Sequence, residues 1–461
     1  MKTDADIVSI TTPSGTHVDP EAAHNYVIDP AAEAKLLRRV DLRVLPMIFV
    51  LYFFTFLDRT NLGNAKVAGM EADLGLSTYG FNIGACLYYG IYFFADIPAS
   101  LSVKRFGNIV LPLSCIAFGV VTLATAFIHN EASFFAIRLL LGITEAFQFP
   151  GLSYVVSRYY RRNEVTTRVS FFMLGAAGLA IITIGVGFLS LYLFPADPSK
   201  TRIFNEDERA LAMARIFHDQ PAIREHKERI SWKLIKRGIL NVNVLVCTWM
   251  YTCNQVTVQG LSIFTVTILR LNYPDRSTVG IQLLSVPPPL VGMVFALCLA
   301  YITMKTRKHG YAIVGCATLN VIGYSIWLAS KNVQARYAAI FINTAGGYGF
   351  GVLVISWSLA NAAPDTVRNV ANAAVSGISN IGSIAATWSY INTDAKTGYR
   401  TGNSLNTATA ASVIVASLSL VAYQTWENKR RERGDRDYRL RLPEDEVAIL
   451  GHLHPNFRYI H

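Results

Sequence analysis

The sequence predicts an all-α polytopic membrane protein, on the evidence of its composition and its hydrophobic pattern. Of the 461 residues, 52% are hydrophobic and only 16% are charged, whereas soluble domains are about 25% charged. Apolar stretches of about 20 residues recur from Leu45 to Trp426, and each can cross a hydrocarbon core about 30 Å thick. The polar first 40 residues do not have the pattern of a cleavable signal peptide, so we expect the first span to direct insertion.

The net charge of +11 favours a membrane topology over nucleic-acid binding because of where the basic residues lie. They collect in alternate loops, as in Val103–Gly107, Arg158–Arg162 and Lys305–Lys308, and cytoplasmic loops carry such an excess of Lys and Arg. We call the face that carries these turns the basic side and predict that it is cytoplasmic. The expected partners are therefore the lipid bilayer and a transported solute, with no nucleic acid.

Ten apolar stretches predict ten individual spans. They are Leu45–Asn64, Tyr79–Ala99, Val110–Ile128, Ser133–Tyr154, Leu240–Leu269, Thr278–Tyr301, Gly310–Ala329, Tyr337–Ala360, Val370–Ile391 and Thr407–Trp426. Pro287, Pro288 and Pro289 should break or kink the span that contains them, since proline cannot continue the helical hydrogen bonding. The six cysteines all lie within spans and are interpreted as small packing residues, so neither a metal nor a cofactor is expected.

An eleventh apolar run, Val169–Phe194, has 26 residues and no polar interruption. As a helix it would be about 39 Å long, which is one tilted crossing and not two. The loop that follows, residues 195–239, contains ten Lys and Arg against seven acids and so is predicted to lie on the basic side. A capped helix is expected to begin at Asn205–Glu208 within that loop. Six spans follow the loop, but only five precede it.

These boundaries divide the chain into five regions. Residues 1–40 are predicted to be a disordered cytoplasmic tail, and residues 41–194 an N-terminal bundle of four spans plus one fused span. Residues 195–239 form a cytoplasmic loop, residues 240–426 a C-terminal bundle of six spans, and residues 427–461 a cytoplasmic tail.

The segment Arg138–Gly151 places two opposite charges inside a span. Arg138 and Glu145 are seven residues apart, so on a helix they project from nearly the same face. A charge at bilayer depth costs from about 2.5 kcal/mol upward, and such residues normally face a partner or a watery cavity. A pathway for a proton or a charged substrate is the favoured interpretation. A buried structural ion pair is the alternative.

Two motifs carry a family resemblance. Phe56–Ala65 reads FLDRTNLGNA, and Arg138–Gly151 has the pattern R-x-x-x-G-x-x-E-A-x-x-x-P-G. Both resemble the anion:cation symporter family of the major facilitator superfamily, and within it the fungal allantoate permease-like branch, which includes nicotinate, pantothenate and other carboxylate transporters. The resemblance covers about residues 40–434. It implies two six-helix bundles that move a small organic anion together with protons by alternating access.

The resemblance also implies two complete spans between Arg168 and Pro195, which need about 55 residues. This chain has 26 residues there. We therefore hypothesise that about 30 residues are missing near Ala180–Ile181, through a mispredicted intron or an alternative transcript, which would shorten the N-terminal bundle by about one crossing. A genuine eleven-span or re-entrant protein is the alternative.

Candidate site residues follow from the charges and from the resemblance. Asp58, Asp96 and Glu145 are the carboxylates within the spans, and the nine histidines lie outside them, so a carboxylate must carry any coupled proton. The resemblance implies proton coupling by Asp58 and Glu145, and substrate binding by Arg59 and Arg138. Polar span residues that can face the substrate are Asn61, Tyr92, Asn254, Gln255 and Asn380. The alternative is that the amides of Asn254, Gln255 and Asn380 join helices together. For Tyr92 the alternative is aromatic packing. Asp96 is expected to anchor the basic turn near it.

The predicted function is therefore secondary active transport, with proton-coupled uptake of a small organic anion and no enzymatic activity. A multi-pass protein of the plasma membrane is expected, with both termini cytoplasmic and the protein monomeric. Two alternatives remain, a non-transporting nutrient receptor on the same fold and an inactive product of the shortened bundle. Arginine can bind a carboxylate through two parallel hydrogen bonds, while a carboxylate can take up and release a proton.

Overall fold

The computed structural model of the protein is helical throughout the part of the chain that it describes. It describes residues 29–107, 109–160, 205, 208–209, 211–212, 232–390, 394, 398–441, 447 and 450–461. Six helices or helix pairs within these ranges have the length and apolar composition of a membrane span. The predicted all-α membrane architecture is confirmed, whereas the predicted fused span Val169–Phe194 lies outside the described residues.

Helices α1 to α6 occupy the region before residue 160, where the sequence predicts four crossings. They are α1 Pro30–Ala68, the short α2 Met70–Asp73, α3 Gly80–Phe106, α4 Val110–Ala124 with a 3-10 turn at Thr125–Phe127, α5 Glu131–Glu145 and α6 Gln148–Tyr159. Asp29 caps α1 by accepting hydrogen bonds from the main-chain nitrogens of Ala31 and Ala32, and Pro30 occupies the first turn, where proline is tolerated. Residues 30–40 are therefore helical, which corrects that part of the predicted disordered tail over residues 1–40.

Helices α7 to α15 follow the central loop. They are α7 Trp232–Ile239, α8 Val242–Asn272, α9 Thr278–Ser285, α10 Pro287–Thr306, α11 His309–Ala329, α12 Val333–Ala360, α13 Asp365–Ile378, α14 Asn380–Ser389 and α15 Arg400–Glu432. The crossing made by α9 and α10 is interrupted at Val286, immediately before the three prolines, so the predicted break is confirmed. The interruption at Ser379 between α13 and α14 was not predicted.

One ion pair places the central loop on the same side as the start of α1. The Arg39 guanidinium donates short hydrogen bonds to both carboxylate oxygens of Glu208. Glu208 also accepts a bond from the main-chain nitrogen of Asn205, and the main-chain nitrogen of Arg209 bonds to the Asn205 carbonyl oxygen at 2.9 Å, as at a capped helix start. Because α1 begins on the basic side, these contacts agree with the side predicted for the loop.

The two halves of the chain meet mainly along α3. This helix packs against α13 and α14 over its length, and α1 packs against α8. The close approach of α1 and α8 needs a glycine, because a side-chain carbon at Gly63 would lie 2.8 Å from the carbonyl oxygen of Ile263. The crossings made by α3 and by α13–α14 therefore form the principal contact between the bundles in the part of the chain that is described.

Two reciprocal contacts between asparagine and glycine join α11 to α12. Asn320 lies over Gly346, and Asn343 lies over Gly323, so each helix supplies one fully buried amide and one glycine. The glycine follows the asparagine by three positions on each helix, and the helices are antiparallel, so an approximate two-fold axis relates the two contacts. Small residues allow such close packing of membrane helices. We call this arrangement the Asn–Gly clasp.

The end of the chain folds back onto the C-terminal bundle. α15 continues to Glu432, and residues 450–461 pack against the basic-side ends of α11, α12 and α15. The predicted tail over residues 427–461 is thus helical at its start and docked at its end.

Candidate transport site

Glu145 lies against a group of buried tyrosines on α3 and contacts one of them, Tyr88. Tyr88, Tyr89 and Tyr92 are 4%, 3% and 3% exposed, and Glu145 is fully buried. The Tyr88 hydroxyl donates a short hydrogen bond to Oε2 of Glu145. A phenol hydroxyl can donate to a carboxylate and can accept from a protonated carboxyl group. Tyr88 is therefore able to bind Glu145 in either protonation state.

Tyr89 connects this region to the other bundle. Its hydroxyl donates a 2.8 Å hydrogen bond to Oε1 of Gln259 on α8, and both side chains are buried. The rings of Tyr88 and Tyr89 pack edge to face with centroids 4.9 Å apart. Adjacent tyrosines thus contact the buried carboxyl group in one bundle and an amide in the other, so a rearrangement at Glu145 can reach the bundle contact.

Gly142 explains how Tyr88 comes close enough to bind Glu145. A side-chain carbon at this position would lie 2.4 Å from the Ile91 methyl group and 2.7 Å from the carbonyl oxygen of Tyr88. Only glycine permits α5 and α3 to pack at this distance. α5 also ends at Glu145, and α6 begins at Gln148, so the carboxyl group lies at an interruption of the crossing.

Arg138 lies two turns before Glu145 on α5 and is 6% exposed. Its guanidinium carbon is 5.2 Å from the centroid of the Phe134 ring, a geometry that favours a cation over an aromatic face. Arg138 and Glu145 are therefore both buried, as their spacing on one face predicts. Burial alone does not assign a role, and the roles of Arg138 and Glu145 remain predictions.

The residues predicted from α1 cannot be placed at side-chain level. Asp58, Arg59 and Asn61 lie in the helical part of α1, but their side chains are outside the described residues. Their assignments to proton coupling and substrate binding remain predictions.

The predicted amides of α8 face different neighbours. Asn254 is 3% exposed, and its amide nitrogen lies 2.5 Å from where a side-chain carbon at Gly351 of α12 would be. Gln255 is 7% exposed and lies beside Gly382 of α14. Gln259, one turn further on, reaches α3 instead. Of these three amides, only Gln259 therefore has a described hydrogen bond to the N-terminal bundle. Neither Gln259 nor its partner Tyr89 is among the site residues predicted from the sequence.

Asn380 lies at the interruption between α13 and α14. It is 2% exposed, and its amide nitrogen donates to the carbonyl oxygens of Ser376 and Gly377 at 3.0 and 3.1 Å. The amide hydrogens therefore bond to carbonyl oxygens of the same crossing and bridge its interruption at Ser379. A substrate contact for Asn380 remains a prediction that concerns its carbonyl oxygen.

Hydrogen bonds close the basic side between the bundles. The Asn369 amide nitrogen donates to the Ser100 carbonyl oxygen at 3.0 Å, and the Ser376 hydroxyl donates to Asp96 at 2.5 Å. Asn372 donates to the carbonyl oxygen of Pro150 at 3.1 Å. We call these contacts the basic-side interface. The described bond of Asp96 thus crosses to α13, whereas we expected Asp96 to anchor the basic turn.

The opposite side is closed by a second set of contacts. The Asn82 amide donates to the Thr387 carbonyl oxygen at 3.1 Å, and the Trp388 indole nitrogen donates to the sulfur of Cys86 at 3.0 Å. The Tyr79 ring packs on Trp388 with centroids 5.7 Å apart. In this conformation α3 therefore contacts α13–α14 on both sides of the buried tyrosines.

Relatives with similar sequences extend over most of the chain. A transporter of Schizosaccharomyces pombe named as uncharacterized is 29% identical over 406 aligned positions, which cover 81% of this chain and 84% of the relative. The major facilitator-type transporter hxnP of Emericella nidulans is 26% identical over 491 positions, with 97% of each chain covered.

A solved structure and a family comparison agree with the helical arrangement. The proton:xylose symporter XylE superposes with a TM-score of 0.58 at 12% identity, covering 82% of this chain and 95% of that chain, which supports a common fold. The Major Facilitator Superfamily matches residues 48–387, which are more than half of the sequence. This chain therefore belongs to the Major Facilitator Superfamily and is a multi-pass membrane transporter.

Proposed function

We propose that this transporter takes up a small organic anion together with protons and that Glu145 is a proton-binding group. The observation that carries the proposal is the burial of Glu145 against Tyr88, directly beside the bond from Tyr89 to Gln259 that joins the bundles. A buried ionisable residue in a membrane span is a functional-site hypothesis by default. Here Glu145 would change its charge while it contacts Tyr88, and the next residue along the chain, Tyr89, makes the contact between the bundles.

The coupling follows from what protonation changes. An ionised Glu145 only accepts hydrogen bonds, whereas a protonated one also donates. Protonation would therefore allow Tyr88 to change its hydrogen bond and, through the packed rings, to weaken the bond from Tyr89 to Gln259. In this mechanism Asp58 shares the proton-coupling role. The bundles then reorient about a central site.

The anionic substrate is proposed from the buried arginine. Arg138 is buried, and an arginine side chain can bind a carboxylate through two parallel hydrogen bonds. Arg59 is the second cation that we propose for the substrate, with Asn61, Tyr92, Asn254, Gln255 and Asn380 as candidates for neutral contacts. The motifs around Arg59 and Arg138 support membership of the anion:cation symporter family. We further propose a plasma-membrane location, cytoplasmic termini and a monomer.

Acid-driven uptake tests this function. Cells or proteoliposomes containing the protein should accumulate a labelled carboxylate, such as nicotinate or pantothenate, faster when the outside is acidified, and a protonophore should abolish the difference. A non-transporting receptor would bind the compound with no accumulation at either pH. A rate of accumulation that changes neither with the outside pH nor with the protonophore would contradict proton coupling.

We also propose that about 30 residues are missing from the N-terminal bundle near Ala180–Ile181. The 406 positions aligned with the S. pombe relative contain 81% of 461 residues, or about 373, so about 33 positions of the alignment face gaps in this chain. The corresponding difference with hxnP is about 44 positions, from 491 less 97% of 461. Both differences support an internal deletion, although neither gives its position.

Sequencing the native transcript between Arg168 and Pro195 tests the proposed deletion. Extra codons there, about 30 in number, would support a full-length twelve-span transporter. An unchanged junction would contradict it, and the inactive shortened product would become the leading alternative if uptake is also absent.

A further inference from the structure

The last twelve residues that the structure describes form a docked segment, which we call the C-terminal strap (residues 450–461). It crosses the basic-side ends of four crossings in the C-terminal bundle. The first contact is made at Ala363, in the turn that leads into α13, and the last at His309, where α11 begins. The strap thus connects parts of the bundle that are distant in sequence.

Two asparagines bind the strap through its main chain. The amide of Asn361, at the end of α12, accepts from the nitrogen of Ile460 and donates to its oxygen, both at 2.9 Å. The amide of Asn428, on α15, makes the same pair of bonds with Tyr459, at 2.9 and 3.0 Å. One amide pairs with both polar groups of one residue, as a neighbouring strand would. The surface therefore binds an extended peptide at two consecutive residues.

Other side chains complete this peptide-binding surface. The indole nitrogen of the buried Trp357 donates to the Ile460 oxygen at 2.7 Å. Arg431 donates to the Phe457 carbonyl oxygen at 2.8 Å, and its guanidinium lies 4.6 Å from the centroid of the Tyr459 ring. Glu427 bonds to Arg431 and so holds the guanidinium in place. These partners are side chains of α12 and α15, so the site exists only in the folded bundle.

The beginning of the strap lies directly on the turn before α13. The main-chain nitrogen and Nδ1 of His452 both contact the carbonyl oxygen of Ala363, at 3.1 and 2.6 Å. Gly451 has a φ of +56°, and a side-chain carbon there would lie 2.3 Å from main-chain atoms of Ala363 and Pro364. Glycine is thus required for this contact by conformation as well as by space.

We propose that the strap is an intramolecular ligand of this surface, that its docking holds α13 against the N-terminal bundle, and that protonation of His452 releases it. α13 carries Asn369, Asn372 and Ser376, the residues that close the basic-side interface. The strap contacts the turn only six residues before Asn369. A docked strap therefore stabilises the conformation that is closed on the basic side. This inference depends only on the fold. It does not depend on the proposed substrate or on proton-coupled transport.

The surroundings of His452 oppose a positive charge. Because a carbonyl oxygen only accepts, Nδ1 carries the proton, and Nε2 would have to take the second one. Burial lowers the pKa of His452 to about 4, and Arg237 of α7, Arg431 of α15 and Arg439 all act in the same direction, against the bond to Ala363. His454 and His461 of the strap also have lowered pKa values, through burial.

The sign of the pH effect follows from these pKa values. Released His452 titrates near its ordinary pKa of 6.5, so the released strap binds more protons than the docked strap between about pH 4 and pH 6.5. Docking is therefore strongest above pH 6.5 and weakens as the pH falls towards 4. From about pH 7.5 to about pH 5.5 the docking equilibrium should weaken about tenfold.

Spin labels measure docking and opening separately on the full-length chain. The exposed Cys298 and the partly buried Cys86 are replaced by serine, whose hydroxyl can still accept the hydrogen bond from Trp388 at position 86. A single label at Arg458→Cys reports the mobility of the strap. In a separate variant of the same chain, a pair of labels at Arg105→Cys and Thr306→Cys reports the distance between the bundles on the basic side. The test variant is Asn361→Ala with Asn428→Ala, and Asn456→Ala, an exposed strap asparagine, is the matched control.

We expect the double variant to mobilise the strap and to shift the distance between the bundles towards longer values, with the control unchanged. Acidification should do the same in the parent protein, and His452→Gln should reduce that pH dependence. A strap that stays immobile in the double variant would overturn docking by the asparagines. A strap that is released with no change in the distance between the bundles would overturn the proposal that docking holds α13 against the N-terminal bundle. An unaltered pH dependence in His452→Gln would overturn the role of His452.

Discussion

Glu145→Gln is expected to abolish acid-driven accumulation of substrate, reducing it by at least about tenfold, which corresponds to about 1.4 kcal/mol of coupling free energy. Glutamine keeps the size of the side chain and can still accept the hydrogen bond from Tyr88, but it cannot take up or release a proton. The bundles can still reorient around a permanently neutral side chain. Exchange of labelled for unlabelled substrate should therefore continue, which separates lost coupling from misfolding.

Glu131→Gln is the matched control for this experiment. Glu131 begins the same helix, α5, where the Ser77 hydroxyl donates a 2.6 Å hydrogen bond to it at the opposite side of the membrane from the basic turns. The same chemical change should leave accumulation intact there. Tyr88→Phe should have an intermediate effect, because the ring packing remains while the hydroxyl bond is lost. Full acid-driven accumulation in Glu145→Gln would contradict its assignment as a proton-binding group.

Replacing either glycine of the Asn–Gly clasp by alanine should destabilise the protein. Removing the facing asparagine side chain should then restore the stability at one of the two sites but not at the other. The three atoms nearest to a side-chain carbon at Gly323 all belong to the Asn343 side chain, with its oxygen 2.1 Å away. One at Gly346 would meet both the Asn320 side chain, at 2.3 Å, and the main-chain oxygen of Cys316, at 2.8 Å. Each single replacement should destabilise the protein by about 1–3 kcal/mol, as overpacking does.

The second replacement distinguishes the two sites. Asn343→Ala should recover most of the stability lost in Gly323→Ala, because it removes the three atoms nearest to the new carbon. Asn320→Ala should recover little in Gly346→Ala, because the main-chain oxygen of Cys316 remains. Thermal unfolding in detergent gives the interaction free energy from each double-mutant cycle.

Gly315→Ala is the control for these cycles, since it lies on α11 with nothing within 4 Å of the new carbon. It should be close to neutral. Equal rescue at both sites would show that the main chain at Cys316 moves to make room, and would contradict the rigid packing of α11 on α12.

The sequence by itself determined the features that depend on neighbouring residues along the chain. Runs of apolar residues with the length of a bilayer predicted the crossings, since each such run must cross as a helix that satisfies its own hydrogen bonds. Pro287 predicted the interruption at Val286 because proline removes a helical hydrogen bond wherever it occurs. The spacing of Arg138 and Glu145 likewise predicted that both lie on one face.

The tertiary structure alone decided which buried polar groups meet. Tyr89 and Gln259 are 170 residues apart, and Asn361, which binds the strap, is 99 residues from Ile460. Many pairs of buried polar residues satisfy the same local rules, so periodicity predicts that each needs a partner but does not identify it. Partner choice depends on which helices pack together and in what register, and that is set by the summed packing of all the helices and by no single segment.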